Sequence, residues 1–217
     1  MPAIITIDGP GGSGKGTVTC LVAEQLGFRS LDSGALYRIL ALDCIQKGVE
    51  ASQVDIIAKR AGSLEVEFVN GKVLLEGEDV TDAIRGEEIG EAASKIAIHP
   101  AVREELLYFQ KSFVVAPGLV ADGRDMGTQV FPQAELKIYL TASAEERAKR
   151  RYKQLIDAGQ GGSLRALVDG IQARDQRDLG RETAPLRPAE DSILIDSTGM
   201  TIKEVVKQIL DLWHKTH

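Results

Sequence analysis

The sequence is poor in the residues that build disulfide scaffolds and metal centres. Two cysteines, one tryptophan and three histidines occur in 217 residues. Two cysteines can form neither a disulfide framework nor a four-ligand zinc site. Cys20 and Cys44 each stand among apolar, helix-like neighbours and are expected to be buried free thiols. His99, His214 and His217 are scattered and make neither a metal cluster nor a catalytic pair. No apolar run approaches the roughly 18 residues that a membrane span needs. The N-terminus shows no basic segment followed by a long apolar stretch, so the chain is expected to be cytoplasmic and without a membrane partner. Internal repeats and low-complexity tracts are absent too.

What is present is a globular composition, 43% hydrophobic and 27% charged. That suits one domain with inserted lobes, long enough to bury a real core. With 26 Lys+Arg against 32 Asp+Glu the net charge is −6, which excludes a basic coat protein. The charge is unevenly spread. Residues 147–187 carry ten Lys+Arg and five Asp+Glu, leaving −11 on the remainder. A basic lobe on an acidic body suits a compact polyanion better than a long nucleic acid, whose backbone would be repelled along most of the surface. Small phosphorylated ligands are therefore expected, and nucleic acid is not.

Ala3-Ile4-Ile5-Thr6-Ile7 is a short β-branched run that stops at Asp8-Gly9-Pro10, as a buried central parallel strand does. From Lys15 to Leu26 the apolar residues Val18, Leu21, Val22 and Leu26 recur at helical spacing, and Gly27 is placed to end that helix. Leu119–Ala121, Leu136–Leu140 and Ile193–Ile195 are further strand-like runs, each followed by a polar turn and a helical pattern. Alternating β and α predicts a parallel sheet covered on both faces. One segment departs from this rhythm: Leu64–Val69, Asn70-Gly71 and Lys72–Glu76 read as an antiparallel hairpin with a tight turn. Helices are expected at 35–47, 52–61, 87–97 and 100–113. Ala158–Ser163 is rich in glycine and reads as a hinge between two helices of the basic lobe. Trp213, with Ile209, Leu210 and Leu212, is expected on the core face of a last helix, and Met126 is expected to pack beneath a site.

The strongest chemical signal is Gly9-Pro10-Gly11-Gly12-Ser13-Gly14-Lys15-Gly16-Thr17, set between the first strand and the first helix. Small residues let successive N–H groups turn inward around phosphate oxygens, and the helix N-terminus adds partial positive charge. The Lys15 ammonium can then reach the β- and γ-phosphates. The spacing fits the phosphate-loop pattern G-x-x-x-x-G-K-[ST], except that Gly16 occupies the hydroxyl position and Thr17 follows it. That departure leaves direct Mg²⁺ ligation by the chain open. Asp122 ends a strand as a carboxylate that either holds Mg²⁺ through water or begins a turn.

Asp32-Ser33-Gly34-Ala35-Leu36-Tyr37-Arg38 follows the second strand, and Asp122-Gly123-Arg124-Asp125-Met126-Gly127-Thr128 follows the third. Strand ends in an open α/β sheet face the ligand crevice, so polar groups there converge on whatever the phosphate loop presents. Arg38 and Arg124 are candidates to clamp an acceptor phosphate. These stretches, together with Ala93-Ser94, Arg103, Glu146–Arg151, Arg174–Asp178 and Ala184-Pro185-Leu186, resemble the bacterial cytidylate kinases, a family within the nucleoside monophosphate kinases. The resemblance runs end to end, includes the hairpin insert, and accounts for Gly16, which is usual at that place in the group.

The resemblance implies an α/β, three-layer P-loop fold with a central parallel sheet. It places a small antiparallel insert near 64–77 in a monophosphate-binding lobe at 33–115, and a helical lid at 147–187. It also implies phosphoryl transfer from ATP, with Mg²⁺ accompanying the nucleotide, to CMP or dCMP. ATP is expected on residues 9–17, with Arg147 and Arg151, and Arg150 on the same face, gripping its phosphates. Ser94, Arg103 and Asp125 are expected to line the cytosine site with Ser33 nearby, and Asp122 and Gly123, at the head of the same stretch, are expected to bind CMP with them. A buried carboxylate would take the amino protons of cytosine and leave uracil's carbonyl without a donor. Arg38, Arg124 and Arg174 would hold the acceptor's phosphate, and Asp178 and Arg181 its sugar. Lys15, Arg124 and Arg174 are the expected catalytic residues. Arg174, Asp178 and Arg181 share one helix face, as do Arg147, Arg150 and Arg151. A monomer is expected, because no apolar stripe lacks an internal partner. A kinase for another small acceptor such as UMP would share the loop and lid but lack the Ser94, Arg103 and Asp125 set. A guanine-type switch would need an N-K-x-D stretch, which the sequence does not contain.

Overall fold

The computed structural model describes residues 2–69, 72–157, 159, 161–181 and 183–216. It divides into two compact units, residues 1–32 with 113–217 and residues 33–112. The first holds a five-stranded sheet: β1 (Ala3–Asp8), β2 (Arg29–Asp32), β6 (Gly118–Gly123), β7 (Leu136–Thr141) and β8 (Ile193–Asp196), in the order β2-β6-β1-β7-β8. Every neighbouring pair is parallel. β1 is central, as its unbroken apolar run demands, and β6 is buried along its whole length.

Helix α1 (Lys15–Leu26) returns from β1 and packs beside α8 (Ile202–Thr216). Val18, Val22, Val205, Val206 and Ile209 close over Ile5, Ile7, Val120 and Leu140. Full burial of each such side chain is worth about 1.5–3 kcal/mol. Trp213 is in the same cluster and meets Phe28 edge-to-face with centroids 5.7 Å apart. Two local devices fix the helix ends. Gly27 adopts φ 65° while the Gly27 and Phe28 N–H groups bond back to Glu24 and Ala23, which stops α1 where the sequence predicts. Thr201 and Glu204 exchange side-chain-to-backbone bonds at the start of α8, a reciprocal cap. Cys44 is buried, but Cys20 is exposed, contrary to expectation. It stands two positions from both Val18 and Val22, a rotation of about 200° on a helix, so it falls on the face opposite the core.

α6 (Ala144–Asp157) and α7 (Leu164–Leu179) pack against each other in this unit and carry the basic stretch. Of the expected hinge between them, Ala158 and Gln160 lie outside the described residues.

The second unit contains α2 (Ser33–Gln46), α3 (Val54–Gly62), α4 (Glu87–Ile96) and α5 (Pro100–Ser112) around Leu36, Ile39, Leu40, Ile57 and Leu106. Between α3 and α4 lies a small antiparallel sheet, β3 (Val66–Val69), β4 (Lys72–Leu75) and β5 (Glu78–Asp79). The hairpin register pairs Val69 with Lys72; the expected turn residues Asn70 and Gly71 lie outside the described residues. The third strand was not legible as a strand because it is two residues long. Asp43, buried on α2, is held by Arg60 of α3 through two hydrogen bonds, one of them 2.6 Å from Nη2 to Oδ1. No helix among the described residues is long and apolar enough to cross a membrane.

Candidate active site

In the first unit the glycine loop leaves β1 at Gly9, whose φ is 149° and whose Cβ position would lie 2.0 Å from the Leu140 carbonyl oxygen. Only a residue without a side chain lets the chain cross β7 so closely. Gly12 and Gly14 turn the loop with φ of 79° and 93°. Gly14 opens α1 with no side-chain cap, so the first N–H groups of the helix are not taken by a neighbouring side chain. Such a terminus carries a positive dipole end. Lys15 is buried, with Nζ donating to the Pro10 carbonyl at 2.9 Å. Burial first, and then the Arg124 charge, push its pKa down to about 7 against the attraction of Asp122, Asp32 and Asp8. The Ser13 hydroxyl is buried without a hydrogen-bond partner among the described residues, whereas Thr17 is exposed.

Arginines from three distant segments meet this loop. The Arg124 Nη2 is 3.3 Å, and the Arg174 Cζ 3.7 Å, from where a Gly11 Cβ would stand. Behind them lies Asp178, almost wholly buried on α7. Arg124 Nε donates to its Oδ2 at 2.9 Å, Arg181 Nη2 donates to its Oδ1, and Arg174 Nε lies 4.0 Å from Oδ2. Burial pushes the Asp178 carboxyl up, but Arg124, Arg181 and Arg174 together outweigh it and hold the pKa below the usual range. Asp178 therefore stays ionised and aligns three guanidinium groups that would otherwise repel.

Of the expected ATP arginines, Arg147 is buried and donates to the Gly11 and Ala142 carbonyls at 3.0 and 2.9 Å and to the Asp175 carboxylate. Arg151 is half-buried, and no hydrogen bond joins it to the loop among the described residues. Arg150 does reach the loop, donating to the Ser13 carbonyl at 3.1 Å and to the Ser197 carbonyl at 2.7 Å. Two arginines of that helical face thus reach the loop, and the spacing of three and four does not tell which of the three do so.

Asp122 stands opposite Asp32 in the β2–β6 register and is buried inside β6, so it does not begin a turn. Its Oδ2 has no hydrogen-bond partner among the described residues. Burial, and then the facing Asp32 carboxylate, push its pKa well above the usual range. A Cβ on Gly16 would lie 3.9 Å from Asp32 Oδ2. Two carboxylates beside a phosphate loop, one with an orphaned buried oxygen, are a donor set that fits a hard divalent cation. Gly123 ends β6, and Met126 is buried beneath it. Asp125 is buried and precedes a single wide helical turn, Met126–Val130. The turn's N–H groups are held by a carboxylate that the sequence reading passed over, Asp8. Its position at the end of an apolar strand is the same signal that drew attention to Asp122.

The second unit carries Ser33, Arg38, Ser94 and Arg103. Ser33, the first residue of α2, accepts a hydrogen bond from Gln110 Nε2 at 2.8 Å. Arg38 Nη1 donates to the Ile84 and Gly86 carbonyls at 2.8 and 3.2 Å. Gly90 makes room for it, since a Cβ there would stand 2.8 Å from Arg38 Nη2. Arg103 lies over the Tyr37 ring, 5.8 Å from its centroid, and donates to the Ala97 carbonyl. Ser94 is buried on α4. Gln110, Gly90 and Tyr37 have positioning roles that no local pattern announces.

The family model described as cytidylate kinase matches residues 5–215. A cytidylate kinase of Vibrio parahaemolyticus is 56% identical over 211 residues, covering 95% of this chain and 93% of that protein. Another from Pseudomonas putida is 52% identical over 215 residues, covering 96% and 94%. A crystal structure of an uncharacterized protein from Eubacterium ventriosum has a TM-score of 0.53 at 14% identity, covering 98% of each chain, a likeness of fold alone.

Proposed function

This chain belongs to the cytidylate kinase family and transfers a phosphoryl group from ATP to CMP or dCMP; we propose that the glycine cradle and the arginines above it carry out the transfer. The γ-phosphorus bonds to an oxygen of the acceptor's phosphate while its bond to the β–γ bridging oxygen breaks. ADP leaves, and CDP or dCDP is the other product. The attacking oxygen is already anionic, so no general base is needed. The obstacle is electrostatic: two anions must be brought in line, and charge on the moving phosphoryl must be neutralised.

In this reading Gly9, Pro10, Gly11, Gly12, Ser13, Gly14, Gly16 and Thr17 wrap the donor phosphates and Lys15 counters their charge. Arg124 and Arg174 bridge donor and acceptor phosphates, with Arg38 on the acceptor side. Arg147 and Arg151 are assigned to the ATP side, Arg147 through its hold on the loop. Ser94, Arg103 and Asp125, with Ser33 close by, read cytosine, and Asp178 and Arg181 serve the sugar side while aligning the arginines. Asp122 and Asp32 would hold Mg²⁺, whose chemistry is to neutralise the phosphates as ATP binds. The lid at 147–187 excludes water that would otherwise accept the phosphoryl. We further read the protein as a cytoplasmic monomer that acts on free nucleotides and uses neither nucleic acid nor membrane; light scattering at 23.4 kDa tests its oligomeric state.

The observation that carries this reading is the approach of Arg124 and Arg174 to Gly11. It supports a site built for adjoining polyphosphates, because the single Asp178 carboxylate offsets only part of the charge of the three arginines it aligns. The test is ADP release with CMP, dCMP, UMP, AMP or GMP as sole acceptor. Fast turnover with CMP and dCMP alone supports the assignment, and equal turnover with UMP would overturn the assigned cytosine contacts.

A further inference from the structure

Two arginines of α6 spend their donors on carbonyl groups of the phosphate loop. Arg147 gives Nε to the Ala142 carbonyl, Nη1 to the Gly11 carbonyl and to Asp175 Oδ1, and Nη2 to Asp175 Oδ2. Arg150 gives Nε to Glu146 Oε1, Nη1 to the Ser13 carbonyl and to Ser197 Oγ, and Nη2 to the Ser197 carbonyl. Each guanidinium has thus used four of its five N–H donors inside the protein. The loop lies directly on this helix: a Cβ on Gly12 would stand 3.3 Å from Arg147 Cβ, and one on Gly14 3.9 Å from Arg150 Nη1.

Each carbonyl so held shares a peptide plane with the N–H group that follows it. In a trans peptide, as both of these are, C=O and N–H point in opposite directions. A guanidinium on the Gly11 carbonyl therefore turns the Gly12 N–H away from α6, and one on the Ser13 carbonyl does the same for the Gly14 N–H. Gly12 and Gly14 adopt φ of 79° and 93°, the left-handed values that gather neighbouring N–H groups into an anion-binding concavity. Neither N–H has an acceptor among the described residues.

We infer that Arg147 and Arg150 are positioning residues for the donor phosphates: braced by Asp175 and Glu146, they hold the Gly11 and Ser13 carbonyls and so aim the Gly12 and Gly14 N–H groups into the cradle. The inference rests on the placing of ATP in this loop. It gives two carboxylates a use that their charge alone would not suggest. An arginine that met the phosphates itself would attract them more strongly once its acidic partner was neutralised. A brace should do the reverse, because its aim depends on that partner.

The test is Kd for ATP, KM for CMP and the melting temperature in Asp175→Asn, Glu146→Gln and Lys15→Ala. Each amide variant is expected to weaken ATP binding by about threefold to tenfold, the scale of one lost hydrogen bond, although each removes a negative charge near the triphosphate. KM for CMP should stay within about twofold, since the acceptor meets neither brace. Glu146 is partly exposed in the first turn of α6, so its variant decides the matter if Asp175→Asn does not fold. ATP bound as tightly as by the parent, or more tightly, in a folded amide variant would overturn the inference whether or not the melting temperature falls. That result beside weakened binding in Lys15→Ala strikes the braces alone. Parental ATP affinity in Lys15→Ala would overturn the loop as the donor site, and the inference with it.

Discussion

Two alanine substitutions in one loop should fail in opposite ways. At Gly9 the added Cβ would meet the Leu140 carbonyl oxygen at 2.0 Å and its carbon at 3.0 Å, and the residue sits at φ 149°. Both contacts are with backbone in the centre of the sheet, so nothing swings aside. Overpacking of this kind costs about 1–3 kcal/mol, and a side chain held in an unfavourable backbone region costs about 1–3 kcal/mol more. A total near 4 kcal/mol in a chain of this length corresponds to a melting temperature lower by about 8–16 °C. At Gly11 the same methyl would meet only side chains, Arg124 Nη2 at 3.3 Å and Arg174 Cζ at 3.7 Å. These tips can yield by a few tenths of an ångström. Gly11→Ala should therefore melt close to the parent, while it displaces the arginines proposed to meet the phosphates and lowers kcat by about tenfold to a hundredfold, as misplacement in a preorganised site does. Thermal denaturation and initial rates on both variants decide the matter. A Gly9→Ala protein that melts with the parent, or a Gly11→Ala protein with parental turnover, would refute the reasoning about how the cradle is built.

Other consequences concern protons and buried charge. Lys15 titrates near 7 in the unliganded protein, so triphosphate binding at pH 8 should take up a proton. Calorimetry in two buffers of different ionisation enthalpy should show this in the parent and not in Lys15→Met; equal enthalpies in the parent would count against it. Asp8 is raised to about 6 from 3.8, mainly by burial. Between those values the folded state keeps a proton that the unfolded chain has lost, so this group's contribution to stability falls as pH rises through that window. Urea unfolding of Asp8→Asn at pH 4 and 6.5 should lack that component, and an unchanged slope would contradict it. Arg60→Met strands the buried Asp43 carboxylate and should cost about 3 kcal/mol in chemical denaturation; a loss below about 1 kcal/mol would mean that water replaces the arginine.

The parts of the molecule legible in sequence are those that local chemistry decides. A β-branched run followed by glycines and a helical pattern can only be a strand, loop and helix, and Gly27 ends α1 because its αL conformation closes the backbone bonds there. The hairpin strands were legible for the same reason, through alternation and the residues between them. What depends on which distant segment arrives was not. Cys20 looked buried from its neighbours, but only its angular position on α1 decides its exposure. Arg147, Arg150 and Arg151 share a face, and the choice of Arg150 to meet Ser13 is made by where Ser197 lies. Asp8 reads as the end of a strand, and its role emerges only when a turn 118 residues later is set against it. Asp178 likewise could be placed on a helix face with Arg174 and Arg181, but its grip on Arg124 belongs to the tertiary fold.

The central claim is that guanidinium groups gathered at Gly11 neutralise the phosphoryl group in flight. Single-turnover measurement with saturating ATP and CMP on Arg124→Ala tests it most directly, with circular dichroism to establish folding and Lys15→Ala measured alongside. Each variant should retain its fold and lose about a hundredfold in rate, the effect of removing one preorganised charge contact of roughly 3 kcal/mol. A folded Arg124→Ala protein that transfers phosphoryl within about twofold of the parental rate would contradict the account, since no barrier contribution of that size could then be assigned to the arginine.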